Sequence, residues 1–130
     1  MSANNSAEPK AIGPQTPVQT LMTRAVARIS PDARLQEVAQ KLAAMETGAL
    51  AVGTTTSIVG IVSERDLTRA FGRSESPDSL RAGDIASTNL IWCPPRATAA
   101  EAARTMCEKG IRHLLVGDGE LQGIVSARDL

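Results

Sequence analysis

Gly60-Ile61-Val62-Ser63-Glu64-Arg65-Asp66-Leu67 decides the fold, because the chain writes it twice. Sixty-three positions later it reads Gly123-Ile124-Val125-Ser126-Ala127-Arg128-Asp129-Leu130, with only Glu64 exchanged for Ala127. Seven matches in eight positions within 130 residues mark a repeated structural unit.

Working outward from the first copy, Leu35, Val38, Ala39, Leu42 and Met45 follow the spacing of a one-sided helix, and Gly48 stands where that helix should stop. Leu50-Ala51-Val52 and Ile58 to Val62 are short apolar runs separated by Gly53-Thr54-Thr55-Thr56-Ser57, the pattern of a hairpin of buried strands. Ser63 with Asp66 three residues on resembles a helix-start box, and Leu67, Ala70 and Phe71 carry that helix to Gly72. Before all of this, Ala25 to Ile29 alternates like an extended segment ending at Pro31.

The second copy retraces the first at an offset of 64, with Pro95 for Pro31 and the stripe Ala99, Ala102, Ala103, Met106 for the first helix. Thr98 with Glu101 gives this helix a better capping box than Arg34 with Glu37, since Arg34 offers no side-chain oxygen. Leu114 to Val116 and Leu121 to Val125 form the second hairpin through Gly117-Asp118-Gly119-Glu120. The offset falls to 63 within that hairpin, which puts one extra residue in the first hairpin loop. Each unit reads strand, helix, strand, strand, helix, an α+β arrangement. Residues 1–17 are too polar to bury enough surface and read as a disordered tail. Residues 18–72 form repeat 1, 73–83 a turn-rich linker, and 84–130 repeat 2, in which the final helix is absent beyond its start.

Composition narrows the function. Aromatic residues are 2% of the chain, one Trp and one Phe, so the core must be aliphatic and no base-stacking surface exists. Fourteen basic and fourteen acidic residues balance without a run of either sign, which argues against nucleic-acid or membrane-surface partners. Cys93 and Cys107 have no framework spacing and read as reduced thiols, and with His113 they fall short of a zinc ligand set. No apolar stretch reaches the length of a membrane span and no secretion signal opens the chain, so a cytoplasmic location is expected. Catalytic motifs, Walker-type loops and metal-ligand sets are lacking, and an enzyme is not expected.

The doubled Gly-Ile-Val-Ser-x-Arg-Asp-Leu, each copy preceded by a one-sided helix and an apolar run, resembles a tandem pair of CBS domains over about residues 18–130. The resemblance implies two βαββα repeats packed sheet to sheet about a pseudo-twofold axis, with two clefts that often bind adenine nucleotides or adenosyl compounds and carry out no chemistry. It implies AMP, ADP, ATP or S-adenosylmethionine as ligand rather than a bound cofactor, a homodimer, and a regulated protein target on another chain. It assigns ribose contact to Asp66 and Asp129 with Ser63 and Ser126 beside them. Arg65 and Arg128 stand where a guanidinium can reach a phosphate. Gly110-Ile111-Arg112-His113-Leu114 is similar to the segment that runs along the adenine edge, so Arg112 and His113 join the ligand-binding set.

Two readings stay open at these residues. A Ser and an Asp at this spacing serve equally as helix caps, the arginines as solvated surface, and His113 as a half-buried strand residue. The alternative function is therefore a structural dimerisation module with empty clefts, which the small-residue stripe Ala99, Ala102, Ala103 also suits. Repeat 1 has Gly48-Ala49-Leu50 where repeat 2 has Arg112-His113-Leu114, so unequal sites are expected. Ala51 and Leu115 replace the proline usual in the family's second strand, and a terminus at Leu130 places a carboxylate beside Asp129 that weakens phosphate binding there.

Overall fold

The computed structural model describes residues 12–54, 57–74 and 76–130. The expected tail falls mostly on residues 1–11, outside the described residues. Residues 13–17 are tied down: the Thr16 carbonyl accepts from Ala99 N–H at 2.8 Å, the Pro14 carbonyl from Ala100 N–H at 3.0 Å, and Pro17 bridges Thr98. These bonds satisfy N–H groups that a helix start leaves without intrahelical partners, a use of the segment that composition does not reveal.

The first repeat comprises β1 (Arg28–Ile29), α1 (Leu35–Met45), β2 (Ala49–Gly53), β3 (Ile58–Ser63) and α2 (Glu64–Arg73). A 3₁₀ turn (Pro77–Ser79) and a short helix α3 (Ala82–Ile85) follow in the stretch read as a linker. The second repeat comprises β4 (Trp92–Cys93), α4 (Ala99–Lys109), β5 (His113–Val116), β6 (Gly123–Ser126) and a 3₁₀ turn (Ala127–Asp129). Two three-stranded sheets result, β1-β2-β3 and β4-β5-β6, in each of which the first pair is parallel and the second antiparallel. The mixed architecture with two repeats is the one the duplicated octapeptide predicts.

The chain divides into two compact units, Ala25–Ile91 and the segment up to Arg24 with Trp92–Leu130. In the first unit Ile29, Val38, Leu42, Leu50, Val52, Val62 and Ala82 form the core, with Leu67, Ile85 and Ala86 against it. Ala82 donates to the Ala33 carbonyl at 2.8 Å, so α3 is part of this core and not a free connector. The Ser87 N–H and carbonyl exchange bonds with Ile61 at 2.8 and 2.9 Å. The second unit uses its early segment in the same way: Thr23 exchanges bonds with Ile124 at 2.9 and 3.1 Å, and Val18 donates to Ala97. Ile85-Ala86-Ser87 and Leu21-Met22-Thr23, equivalent in sequence, thus each seal the edge of a β3 or β6 strand, leaving fewer unpaired edge groups.

Caps and breaks follow side-chain chemistry. Thr98 Oγ1 accepts from Glu101 N–H at 3.2 Å while Glu101 Oε1 accepts from Thr98 N–H at 3.1 Å. Arg34 contributes only its backbone N–H, to Glu37 Oε1 at 3.0 Å, as its lack of a side-chain oxygen requires. Helix α1 stops at Met45, earlier than Gly48: Glu46 takes the left-handed cap conformation at φ 50°, where α4 has Gly110 at φ 66°. Of the stripe Ala99, Ala102 and Ala103, the first two are buried within the chain and Ala103 is half-buried. Between Val52–Gly60 and Gly53–Ile58 the β2–β3 register shifts and leaves Val59 without an opposite partner. Val59, at this bulge, is 46% exposed. The buried hydrophobic side chains are aliphatic, Met or Cys, and both aromatic residues, Phe71 and Trp92, lie exposed.

Candidate functional site

Each octapeptide crosses from the end of a strand into a helical turn. The buried apolar run Gly60-Ile61-Val62 carries the strand, and Ser63, 9% exposed, ends it as the cap of α2. Ser63 Oγ accepts from Asp66 N–H at 3.2 Å and donates to Asp66 Oδ2 at 2.9 Å, and Ser63 N–H donates to the same Oδ2 at 2.8 Å. Both bonds to the carboxylate fall on Oδ2, so Oδ1 retains its acceptor capacity for a ligand hydroxyl. Asp66 is half-buried and Arg65 is exposed on the first turn.

The second junction repeats this geometry. Asp129 Oδ2 accepts from Ser126 N–H at 2.8 Å, and Ser126 Oγ accepts from Asp129 N–H at 3.3 Å. Ser126 and Asp129 are half-buried and Arg128 is exposed. Here the start of β5 and the residue before it join the cluster: His113 pairs with Ser126 across β5 and β6, and the Arg112 carbonyl accepts from Ala127 N–H at 2.8 Å. His113 is half-buried and Arg112 exposed. At the first junction the equivalent places are Ala49, paired with Ser63, and Gly48, whose carbonyl accepts from Glu64 N–H at 3.0 Å.

Of the eight residues expected from sequence, five therefore assemble at one junction, Arg112, His113, Ser126, Arg128 and Asp129, and three at the other, Ser63, Arg65 and Asp66. The first turn of a helix with its free N–H groups and an acceptor Asp is chemically suited to a diol beside an anion. Such a cluster supplies acceptors and charge of the kind that hold and orient a ligand. The carbonyls of Gly48 and Arg112 were not foreseen as part of the junctions, because a main-chain acceptor leaves no trace in residue type. Only the strand register locates them.

A separate groove of about 670 Å³ runs between β1 and α1, lined among others by Arg28, Asp32, Glu37 and Lys41. It includes none of the eight residues, and its charges balance. The thiols are free and separate: Cys93 is buried, and Cys107 is exposed on α4. Burial, and secondarily the negative charge of Glu101, push the Cys93 thiol up from its ordinary value of 9.0, which keeps it protonated. Among the described residues no group of three or more His, Cys, Asp or Glu is arranged to hold a metal, and no helix is long and apolar enough to cross a membrane.

A family model described as CBS domain matches residues 18–73 and 82–130. The CBS domain-containing protein YhcV of Bacillus subtilis is 32% identical over 118 residues, covering 87% of this chain and 81% of that protein. An uncharacterized protein of Methanopyrus kandleri is 33% identical over 105 residues, 78% of this chain but only 54% of that protein's length, so the chain spans about half of that relative. Among solved structures, a CBS domain protein of Pyrobaculum aerophilum complexed with AMP is 31% identical, with a TM-score of 0.75 over 88% of this chain and 89% of that one.

Proposed function

Since the chain belongs to the CBS-domain family, we propose that it is a regulatory module that senses an adenine nucleotide or adenosyl compound and passes a conformational or assembly change to a partner protein. The observation that carries this reading is the duplicated Ser-x-x-Asp junction, in which each Asp is held by its Ser and offers Oδ1 to a ribose hydroxyl. Arg65, Arg128 and Arg112 are exposed at the same junctions, within the reach expected of phosphate partners. The AMP complex of the Pyrobaculum relative supports adenine nucleotides as the class to test first. The role is binding rather than catalysis, in the cytoplasm, with the target on another chain and the module acting as a homodimer.

A thermal-shift series with AMP, ADP, ATP, S-adenosylmethionine and NADH tests the reading. A ligand at one hundred times its Kd stabilises the folded state by about 2.7 kcal/mol, which raises the melting temperature of a domain this size by roughly 5–10 °C. Asp66→Asn or Asp129→Asn should lower that rise, because the amide keeps an acceptor for the cap but loses the charge and part of the diol recognition. The second reading, a dimerisation module with empty clefts, is favoured by the reciprocal cap bonds between Ser63 and Asp66, which serve the helix start without any ligand. A flat response to every compound at millimolar concentration would establish it.

A further inference from the structure

The repeats differ in side-chain charge at one coupled pair of positions. The octapeptides diverge only at Glu64 and Ala127, and the residues just before β2 and β5 whose carbonyls accept from these positions, Gly48 and Arg112, diverge as well. In repeat 1 the Glu64 carboxylate lies over Gly48: a Cβ placed on Gly48 would stand 3.2 Å from Glu64 Oε1. Glu64 thus fills the space that a side chain at position 48 would take. In repeat 2 the small Ala127 leaves that place to the exposed Arg112. The side chains of Glu64, Arg65 and Asp66 carry one net negative charge, and those of Arg112, Arg128 and Asp129 one net positive charge.

We propose that Glu64 is a specificity determinant that excludes phosphate-bearing ligands from the Ser63–Asp66 junction, which takes an uncharged or cationic nucleoside, whereas the Ser126–Asp129 junction takes a nucleotide. This rests on the nucleotide-sensing reading above and adds that the two sites answer to different ligand charge. An anion at repeat 1 meets a carboxylate on Glu64 where the same anion at repeat 2 meets a guanidinium. At surface separations and moderate salt, reversing such a charge changes affinity by about tenfold or more, and the effect shrinks as salt rises.

Calorimetric titration of the full chain with AMP and with adenosine tests it, using Glu64→Ala alone and together with Gly48→Arg. Gly48 lies outside the left-handed region and its only close neighbour is the end of the Glu64 side chain, so the double variant has room to fold; its melting temperature checks this. Asp66→Asn and Asp129→Asn assign each site. The expected result is one tight AMP site in the parent chain, removed by Asp129→Asn, and in the double variant a second AMP site tightened at least about tenfold with adenosine affinity there held within about twofold. Unchanged AMP affinity at that site, or an equal gain for adenosine, overturns the proposal while leaving nucleotide sensing intact. If neither AMP nor adenosine binds the parent chain or any variant, the sensing reading falls and this inference falls with it.

Discussion

Gly60→Ala is the sharpest test of why the octapeptide begins with glycine. A methyl at this position would stand 2.9 Å from the Ser87 carbonyl oxygen and 3.1 Å from Ala86 Cβ. Neither atom sits at the end of a flexible side chain: Ser87 is held by the two bonds to Ile61, and Ala86 N–H is bonded to Ala82. Overpacking of this kind costs about 1–3 kcal/mol, and each edge hydrogen bond that breaks in relieving it adds about 0.5–1.5 kcal/mol. Against this, alanine removes about 0.4–1 kcal/mol of unfolded-chain entropy. The net expectation is a loss of about 1–3 kcal/mol, read in urea as a fall of the midpoint by about 1 M at a typical slope. Gly72→Ala is the control, the same chemical change in the last turn of α2 with nothing within 4 Å; it should stabilise by about 0.5–1 kcal/mol through helix propensity. A Gly60→Ala protein as stable as its parent, or shifted in the same direction as the control, would refute the close-approach explanation.

Further outcomes follow from local geometry. Glu46→Gly should raise stability by up to about 1 kcal/mol in the same urea assay, since it relieves a left-handed non-glycine cap that repeat 2 fills with Gly110. Thr98→Ala should cost about 1 kcal/mol, while Arg34→Ala at the equivalent cap should cost far less, because only Thr98 uses a side-chain oxygen. Hydrogen bonds from the Thr98 N–H and then its hydroxyl hold the Glu101 carboxyl below its ordinary 4.5. That contribution is present above the unfolded value and lost as pH falls through the lower folded value, so Glu101→Gln should flatten the acid limb of the stability profile below about pH 4.5. Iodoacetamide should modify Cys107 alone in the folded protein and both thiols in denaturant, counted by mass spectrometry; rapid native labelling of Cys93 would contradict its burial.

Much of the candidate site was legible because it is local. A Ser and an Asp three residues apart meet across one helical turn whatever surrounds them, and both boxes form at 2.8 Å. The partnership of His113 with Ser126 needed the register of β5 and β6, although the alignment of the repeats already placed His113 against Ala49. Glu64 lies exposed on the first turn of α2. Its position over Gly48 belongs to the tertiary fold, since the two residues lie sixteen positions apart and meet only through the hairpin.

The sequence by itself determined the repeat, the order of its elements, the aliphatic core and the caps, since each depends on spacing within a few residues of one chain segment. The tertiary structure alone decided that Thr23 seals Ile124 and Ser87 seals Ile61, that the β2–β3 register shifts at Val59, and that Ala82 is core rather than linker. Those outcomes depend on which strand edge remains unpaired and which backbone approaches it. Such contacts join residues far apart in the chain, and no local period records them. The glycine at the head of the octapeptide shows both levels at once: its duplication is visible in the sequence, and its necessity arises from the neighbouring segment that crosses it.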